Sequence, residues 1–454
     1  MDEKPARASF WLEPFSKRLI RTCVPFRAVA LEATALPLCH PSISKVFFEL
    51  LKIMDNLFSW KDFDLKDKTV ALRVDLNLPY DKEKDELSEN ARLREHIKTI
   101  KMLQDSGAKI VVLAHQGRKG EEDFISLEKH ASLLEKYLGE IKFIKFGESL
   151  DYIKEMKEKE VVLLDNVRFY EDEIAEKSIE EHANSELIRR LTPFVDYFIL
   201  DAFSVAHRCH ASVVGFATLK PSLAGPVFER ELKNLEEWRE KFETSKLCFI
   251  LGGAKPKEPI KLMENWIEKN CIFLATGVLS LLFLIANGYK LGYTEEFLEK
   301  KGYLKYLEKV KELLKYKDKI YLPVDLAIEK NGERVEIPLS ELPVDEQILD
   351  IGSETVQKYK EEILNSDFVC MKGPAGIYEK KNFEFGTRKL FEILGKNSLI
   401  GGGNTVDALE KFRMDFRDFG YVSLGGGAFV EFLVGKELPG IKALRISFEK
   451  FKSK

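Results

Sequence analysis

The sequence predicts an α/β protein with two parallel sheets, each covered by helices. From Thr69 onward, short β-branched apolar runs alternate with amphipathic stretches of helical period, the pattern of βαβ units around a sheet buried on both faces. About ten such runs occur, more than one twisted sheet commonly holds. At 454 residues and 45% hydrophobic content, the chain also exceeds the roughly 250–300 residues at which a single core stops growing.

Strands are expected at 69–74, 109–114, 161–164, 197–200, 247–251, 272–275, 319–323, 368–371, 398–400 and 421–424, with helices such as 92–104, 126–138 and 304–314 between them. After Gly225-Pro226, the charged stretch FERELKNLEEWREKF (228–242) reads as a long amphipathic helix. It suits a stiff connector, so the domains are expected at 54–225 and 243–434, joined by 226–242 and followed by a tail, 435–454. Residues 1–53 read differently, with no clear period and with Asp2, Glu3, Glu13, Glu32 and Glu49 arguing against a targeting segment. They are expected to be a disordered extension or an upstream start ahead of the natural one at Met54.

Composition excludes several classes. Lys+Arg at 71 against Asp+Glu at 75 gives a net charge of −4, not the basic excess of a nucleic-acid binder. Cys23, Cys39, Cys209, Cys248, Cys271 and Cys370 are scattered without metal spacing and read as free thiols of a reducing, cytoplasmic compartment. The most apolar stretch, 272–286, is too short for a membrane span and contains Thr276, Gly277 and Ser280. A buried strand, a glycine turn and a core helix explain it.

The chemistry is expected at strand ends, where open α/β sheets bind ligands. Asp75 and Asn77 follow the first strand, Arg92 opens a helix, and His115 with Arg118 follows the second strand. Arg168 follows VVLLDN, and DAFSVAHRCHAS supplies His207 and Arg208. A lone loop arginine is a solvated charge and Asp75 alone could cap a turn. Several guanidinium and imidazole groups at one end of one sheet instead suit a small, multiply anionic ligand. The second half turns glycine-rich: LGGAK (251–255), KGPAG (372–376), IGGGNT (400–405) and SLGGGA (423–428). Backbone amides at such turns approach phosphates closely, although neither GxxxxGK[ST] nor a complete GxGxxG is present. A basic half for a small anion facing a half for a nucleotide suits phosphoryl transfer between bound partners.

The strings RVDLNLP, NARLR, AHQGR, LLDNVRFYEDE, DAFSVAHRCHASVVG, ILGGAK, LPVDLAI, LDIGSET, GPAGIYE, FGTRKL, IGGGNT and SLGGGAFVEFLVGKELPG resemble, in order, the signatures of the phosphoglycerate kinase family, from about Asp62 to Leu444. The GPAG wording looks most like its archaeal branch. This resemblance implies two Rossmann-like domains joined by a hinge helix, with the tail packing back on the first. It implies reversible transfer from 1,3-bisphosphoglycerate to ADP, giving 3-phosphoglycerate and ATP with Mg2+, in a monomer or small homo-oligomer. Asp75, Asn77, Arg92, His115, Arg118, Arg168 and Arg208 would bind the glycerate substrate, and Arg92 and Lys255 would neutralise the moving phosphoryl group. Gly252, Gly253, Gly277, Gly402, Gly403, Thr405, Gly425 and Gly426 would serve the nucleotide, with Glu379 on the ribose and Ile377 near the adenine.

Three positions depart from the family pattern. A second lysine is replaced by Pro259, an asparagine by Lys372, and a magnesium-holding aspartate by Asn404, whose neutral carbonyl is a weaker magnesium donor than a carboxylate. Lys372 or Lys257 is expected to restore part of the lost charge, against the plainer reading of Lys372 as an exposed lysine. The same departures support an alternative: a non-catalytic relative that binds nucleotide or 3-phosphoglycerate as a sensor or scaffold.

Overall fold

In chain order the strands are β1 (Phe58–Ser59), β2 (Thr69–Arg73), a small hairpin of β3 (Tyr80–Asp81) and β4 (Glu86–Leu87), β5 (Lys109–Leu113), β6 (Ile141–Ile144), β7 (Val161–Leu164), β8 (Tyr197–Leu200) and β9 (Ser222–Ala224). The second half adds β10 (Leu247–Leu251), β11 (Cys271–Ala275), β12 (Ile320–Tyr321), β13 (Asp325–Lys330), β14 (Glu333–Pro338), β15 (Ile348–Ile351), β16 (Phe368–Lys372), β17 (Ser398–Gly401) and β18 (Tyr421–Ser423). The computed structural model describes residues 53–453, so the expectation for 1–53 falls, but for Ile53, outside the described residues. All eighteen strands of the described residues belong to the unit Asn56–Lys454.

One sheet has the order β1-β9-β8-β2-β5-β7-β6 and the other β12-β11-β10-β16-β17-β18, with every neighbouring pair parallel. The inner strands β2, β7 and β10 are buried along their whole length, as strands covered on both faces must be. A third sheet, β14-β13-β15, is antiparallel and was not anticipated. Its hairpin turns on Asn331 and Gly332, both at positive φ, the two-residue signal that matches strand twist.

Helix 304–314 is shorter than expected. An α-helix covers only Leu307–Leu313, flanked by 3-10 segments at Leu304–Tyr306 and Leu314–Lys319, a tightening common at helix ends. Strand 319–323 shrinks to β12, two residues at the sheet edge. The apolar stretch 272–286 becomes β11 and a helix that begins directly at Gly277. No helix among the described residues is long and apolar enough to cross a membrane.

The helices that shape the site are α1 (Ala91–Asp105), α2 (Pro226–Thr244), α3 (Lys257–Trp266), α4 (Gly277–Ala286), α5 (Gly403–Lys411), α6 (Gly426–Leu433) and α7 (Pro439–Phe451). Helix α2 connects the two sheets. It buries Val227, Phe228, Glu231, Leu232, Leu235, Trp238 and Phe242, a stripe of helical period. Asp201, just past β8, fixes its start by accepting from Val227 N at 2.7 Å. Aromatic packing of Trp238 and Phe242 against Phe368, Phe249 and Trp266 ties its far end to the second sheet. Helix α7 lies against the first sheet: Ser222 N donates to Ser447 Oγ at 2.7 Å, and Gly440 N to Ala206 O at 2.8 Å.

Candidate active site

The carboxyl ends of β2, β5, β8, β10, β16, β17 and β18 deliver their loops to one cleft of about 540 Å³. Asp75, Asn77, Arg92, His115, Arg118 and Arg208 line one side, and Gly253, Lys255, Gly402, Gly403, Asn404, Thr405 and Gly426 the other. A smaller, largely apolar pocket of about 170 Å³ shares Gly253, Pro374 and Asn404 with it and adds Gly277, Ile377 and Glu379. Its back wall comes from the unanticipated antiparallel sheet, through Leu326 and residues 347–351.

Three expected site residues line neither cavity. Arg168 is half-buried, its Nη1 donating to Gly117 O, and burial with the charges of Arg208 and Arg73 brings its pKa down to about 10. Gly252 packs beneath the loops, where a Cβ would fall 2.2 Å from Thr276 Oγ1. Gly425 lies against Phe203, and its amide is already given to Ser423 Oγ at 3.1 Å. The amides of Gly252, Gly253 and Gly277 are likewise spent on Lys372 O, Pro374 O and Ala375 O at 2.8–3.0 Å. These glycines let three loops touch, and their amides are not free for phosphate. By contrast, the first amides of α5 and α6 have no intrahelical acceptor. Gly402, at φ +101, makes the left-handed turn that aims α5 at the cleft.

The basic wall is held from behind. Arg73, almost fully buried, is the hub that sequence reading missed. Its Nε donates to Ser212 Oγ at 2.9 Å, its Nη1 to Val74 O, and its Nη2 to His115 Nδ1 at 3.0 Å. Ser212 passes the interaction on, donating to Glu173 Oε1 at 2.6 Å. Because a guanidinium only donates, Nδ1 of His115 must accept and the ring proton sits on Nε2. Burial and the charges of Arg73 and Arg168 hold the His115 pKa well below its ordinary value. His115 is therefore a neutral donor, oriented by Arg73.

Asp75 is fixed by Ser204, whose hydroxyl donates to it, and by Arg92 at 3.5 Å. Burial pushes its carboxyl up, but the charge of Arg92 and the hydrogen bond from Ser204 outweigh burial and hold it below the usual range. Asn77 and Gln116 lock the loops after β2 and β5 together, through Gly117 N to Asn77 Oδ1 at 2.9 Å and a paired contact of Gln116 with the Leu78 backbone. His207 lines the cleft, its pKa lowered to about 4 by burial and Arg208. A Cβ on Gly427 would fall 3.0 Å from its Nε2, so glycine allows α6 to approach the basic wall.

Burial pushes the Glu173 carboxyl up to about 7, against the pull of Arg73 and Ser212. An unfolded glutamate ionises near 4.5. Between these values the folded chain keeps a proton the unfolded chain has lost, so this stabilisation is full below the lower value and fades as pH rises to the upper one. Glu173→Gln removes the titration. Its melting temperature relative to the parent chain should climb from about pH 5 to about pH 7 and level off above. A difference that stays flat across that window would refute this assignment of Glu173.

Arg92 reaches across the cleft. Positions for a Cβ on Gly403 and on Gly426 lie 3.4 and 3.5 Å from its Nη2. Asn90 caps α1 by accepting from Leu93 N at 3.0 Å. Glu410 of α5 then clasps that end of α1, accepting from Ala91 N at 3.1 Å and pairing with Arg94. On the nucleotide side, Lys372 is buried and paired with Glu258 at 2.6 Å, which rules out the exposed lysine. Lys257 is exposed and lines neither cavity. Asp407, one turn into α5, also lines the cleft, and burial raises its carboxyl to about 6.

A basic wall and a glycine-rich wall thus face one cleft, carried by two parallel sheets on a shared connecting helix. A family model described as phosphoglycerate kinase matches residues 60–436. The phosphoglycerate kinase of Methanosarcina mazei is 40% identical over 415 residues, covering 88% of this chain and 99% of that protein. That of Thermococcus kodakarensis is 37% identical over 413 residues, covering 88% and 99%. This chain belongs to the phosphoglycerate kinase family. Among solved structures, the phosphoglycerate kinase of Pyrococcus horikoshii OT3 matches with a TM-score of 0.82 at 35% identity, covering 87% of this chain and 100% of that one. The enzyme of Coxiella burnetii matches with a TM-score of 0.66 at 30% identity, covering 86% and 98%.

Proposed function

We propose that this chain transfers a phosphoryl group reversibly between 1,3-bisphosphoglycerate and ADP, making it a phosphotransferase with a carboxyl acceptor. The observation that carries this reading is Arg92, which pairs with Asp75 on the basic wall and stands within reach of the α5 and α6 N-termini. Asn77, His115, Arg118 and Arg208 bind the phosphate and carboxylate of the glycerate, with Arg168 supporting them from behind. Asp75 orients Arg92 and the substrate. The apolar pocket takes the base, with Ile377 beside it and Glu379 toward the ribose. The amides of Gly402, Gly403 and Gly426 meet the phosphates, and Gly252, Gly253, Gly277, Thr405 and Gly425 shape the loops that present them. Thr405 does so by accepting from Gly373 N at 2.8 Å.

Transfer is direct and in line. Arg92 and Lys255 offset the charge on the moving group, and closure of the two lobes excludes water. In this reading 54–225 and 243–434 are the lobes, 226–242 their hinge and 435–454 a strap back onto the first lobe. Magnesium enters with the nucleotide. Asn404 offers a carbonyl and Asp407 a carboxylate on the same face of the cleft. Among the described residues no cluster of three or more His, Cys, Asp or Glu suits a metal, so the donor set fits an ion held chiefly by phosphates. That ion would screen the phosphate charge. The expected setting is the cytoplasm, as monomer or small homo-oligomer.

The test is a coupled assay of 3-phosphoglycerate phosphorylation by MgATP, on the full chain and on one beginning at Met54. Turnover in both is expected. Nucleotide binding without turnover in either would favour a sensor or scaffold instead.

A further inference from the structure

Lys372 is the last residue of β16, a central strand of the second sheet. Its backbone pairs with Leu251 and Gly401, so its side chain rises between two of the glycine turns. The ammonium is buried in the cleft wall, and Glu258, the second residue of α3, is its ion-pair partner. Two features make this an odd place for a lysine of purely structural use. A Cβ on Gly402, at the start of α5, would lie 3.7 Å from Lys372 Cε, so a cation stands beside the positive end of a helix, a placement that disfavours it. Lys255 lines the same wall, and its charge, after burial, is among the influences that lower the Lys372 pKa. Two lysines and a helix N-terminus crowd one point, and an anion placed among them relieves all three.

The partner is suited to leave. Glu258 has about a third of its side chain exposed, and it sits in the first turn of its own helix, where a carboxylate is favoured without any lysine. Lys372, by contrast, cannot be left unpaired, since an isolated buried charge is costly. An incoming phosphate can replace Glu258 at the ammonium while Glu258 turns to water.

We propose that Lys372 is a phosphate-binding cation of the nucleotide side, and that Glu258 is the counter-ion which the outer phosphates of a nucleoside triphosphate displace. This rests on the functional reading above for the identity of the ligand.

Calorimetric binding of ATP, ADP and adenosine, without 3-phosphoglycerate, tests it. Lys372→Met should weaken ATP by about 10- to 100-fold, ADP by less, and leave adenosine unchanged, which also reports that the variant is folded. Glu258→Gln, which keeps the cleft lysine, should tighten ATP several-fold, and that gain should vanish in the double variant. Equal weakening of all three ligands, no weakening of ATP, or weaker ATP binding in Glu258→Gln would each overturn the proposal. Turnover is measured separately. A parent chain without turnover would sink the kinase reading while leaving the dependence on phosphate number to decide the role of Lys372.

Discussion

Arg92→Ala is expected to lower kcat by about 10³-fold or more, the range in which an arginine that stabilises a transferring phosphoryl group operates. The side chain is only 20% exposed, lies 3.5 Å from Asp75, and reaches the approach to both helix N-termini of the opposite wall. Nucleotide affinity should change only a few-fold, because the apolar pocket does not include Arg92. Arg92→Lys should recover little, since an ammonium cannot bridge Asp75 and the opposite wall with a rigid fork. Steady-state kinetics in both directions, with binding of each substrate, separates these effects. A kcat within tenfold of the parent chain would remove Arg92 from the chemical step. Asp75 provides a second readout: burial already pushes its carboxyl up, so loss of Arg92 should move its ionisation toward neutrality.

The largest effect on stability is expected from Arg73→Met, about 3–5 kcal/mol, as for other buried charges deprived of a partner. Arg73 is buried, and methionine abandons Ser212 Oγ, Val74 O and His115 Nδ1 together. Behind Ser212, Glu173 would lose the nearby charge that favours its ionised form. Adding Glu173→Gln should return about 1–2 kcal/mol by removing that stranded acid. Denaturant unfolding of both single variants and the double variant measures the coupling. The same substitution frees the His115 ring, so nitrogen NMR should show a proton on Nε2 in the parent chain and a tautomer mixture in Arg73→Met. A cost under about 1 kcal/mol, or an unchanged tautomer, would show that Arg73 does not organise this wall.

Asn331-Gly332 is a legible local signal, an Asn-Gly pair with both residues at positive φ. It is a two-residue hairpin turn between β13 and β14, and it opens the sheet that forms the back of the apolar pocket. Asp350 illustrates the opposite case. Burial raises its carboxyl to about 7, and its Oδ2 accepts from Gly386 N at 2.7 Å. Nothing in LDIGSET marks it as buried in the pocket wall, because burial is a property of what packs against a strand. Arg73 and Glu173 were hidden for the same reason. They lie far apart in the chain and meet only through Ser212.

By itself the sequence determined the α/β class, the parallel order of short apolar strands, the connecting helix and the gathering of charged and glycine residues at strand ends. Those follow from local rules: strand and helix periods, glycine at tight turns, and the direction that every strand of a parallel sheet shares. Tertiary structure alone decided which of these groups face the cleft. It tied Arg168 to Gly117 O and spent the amides of Gly252 and Gly425 within the fold. It also buried Lys372 against Glu258 and set Arg92 between two walls. Such choices depend on desolvation and on hydrogen-bond partners distant in the chain, and neither is written in any local stretch of residues.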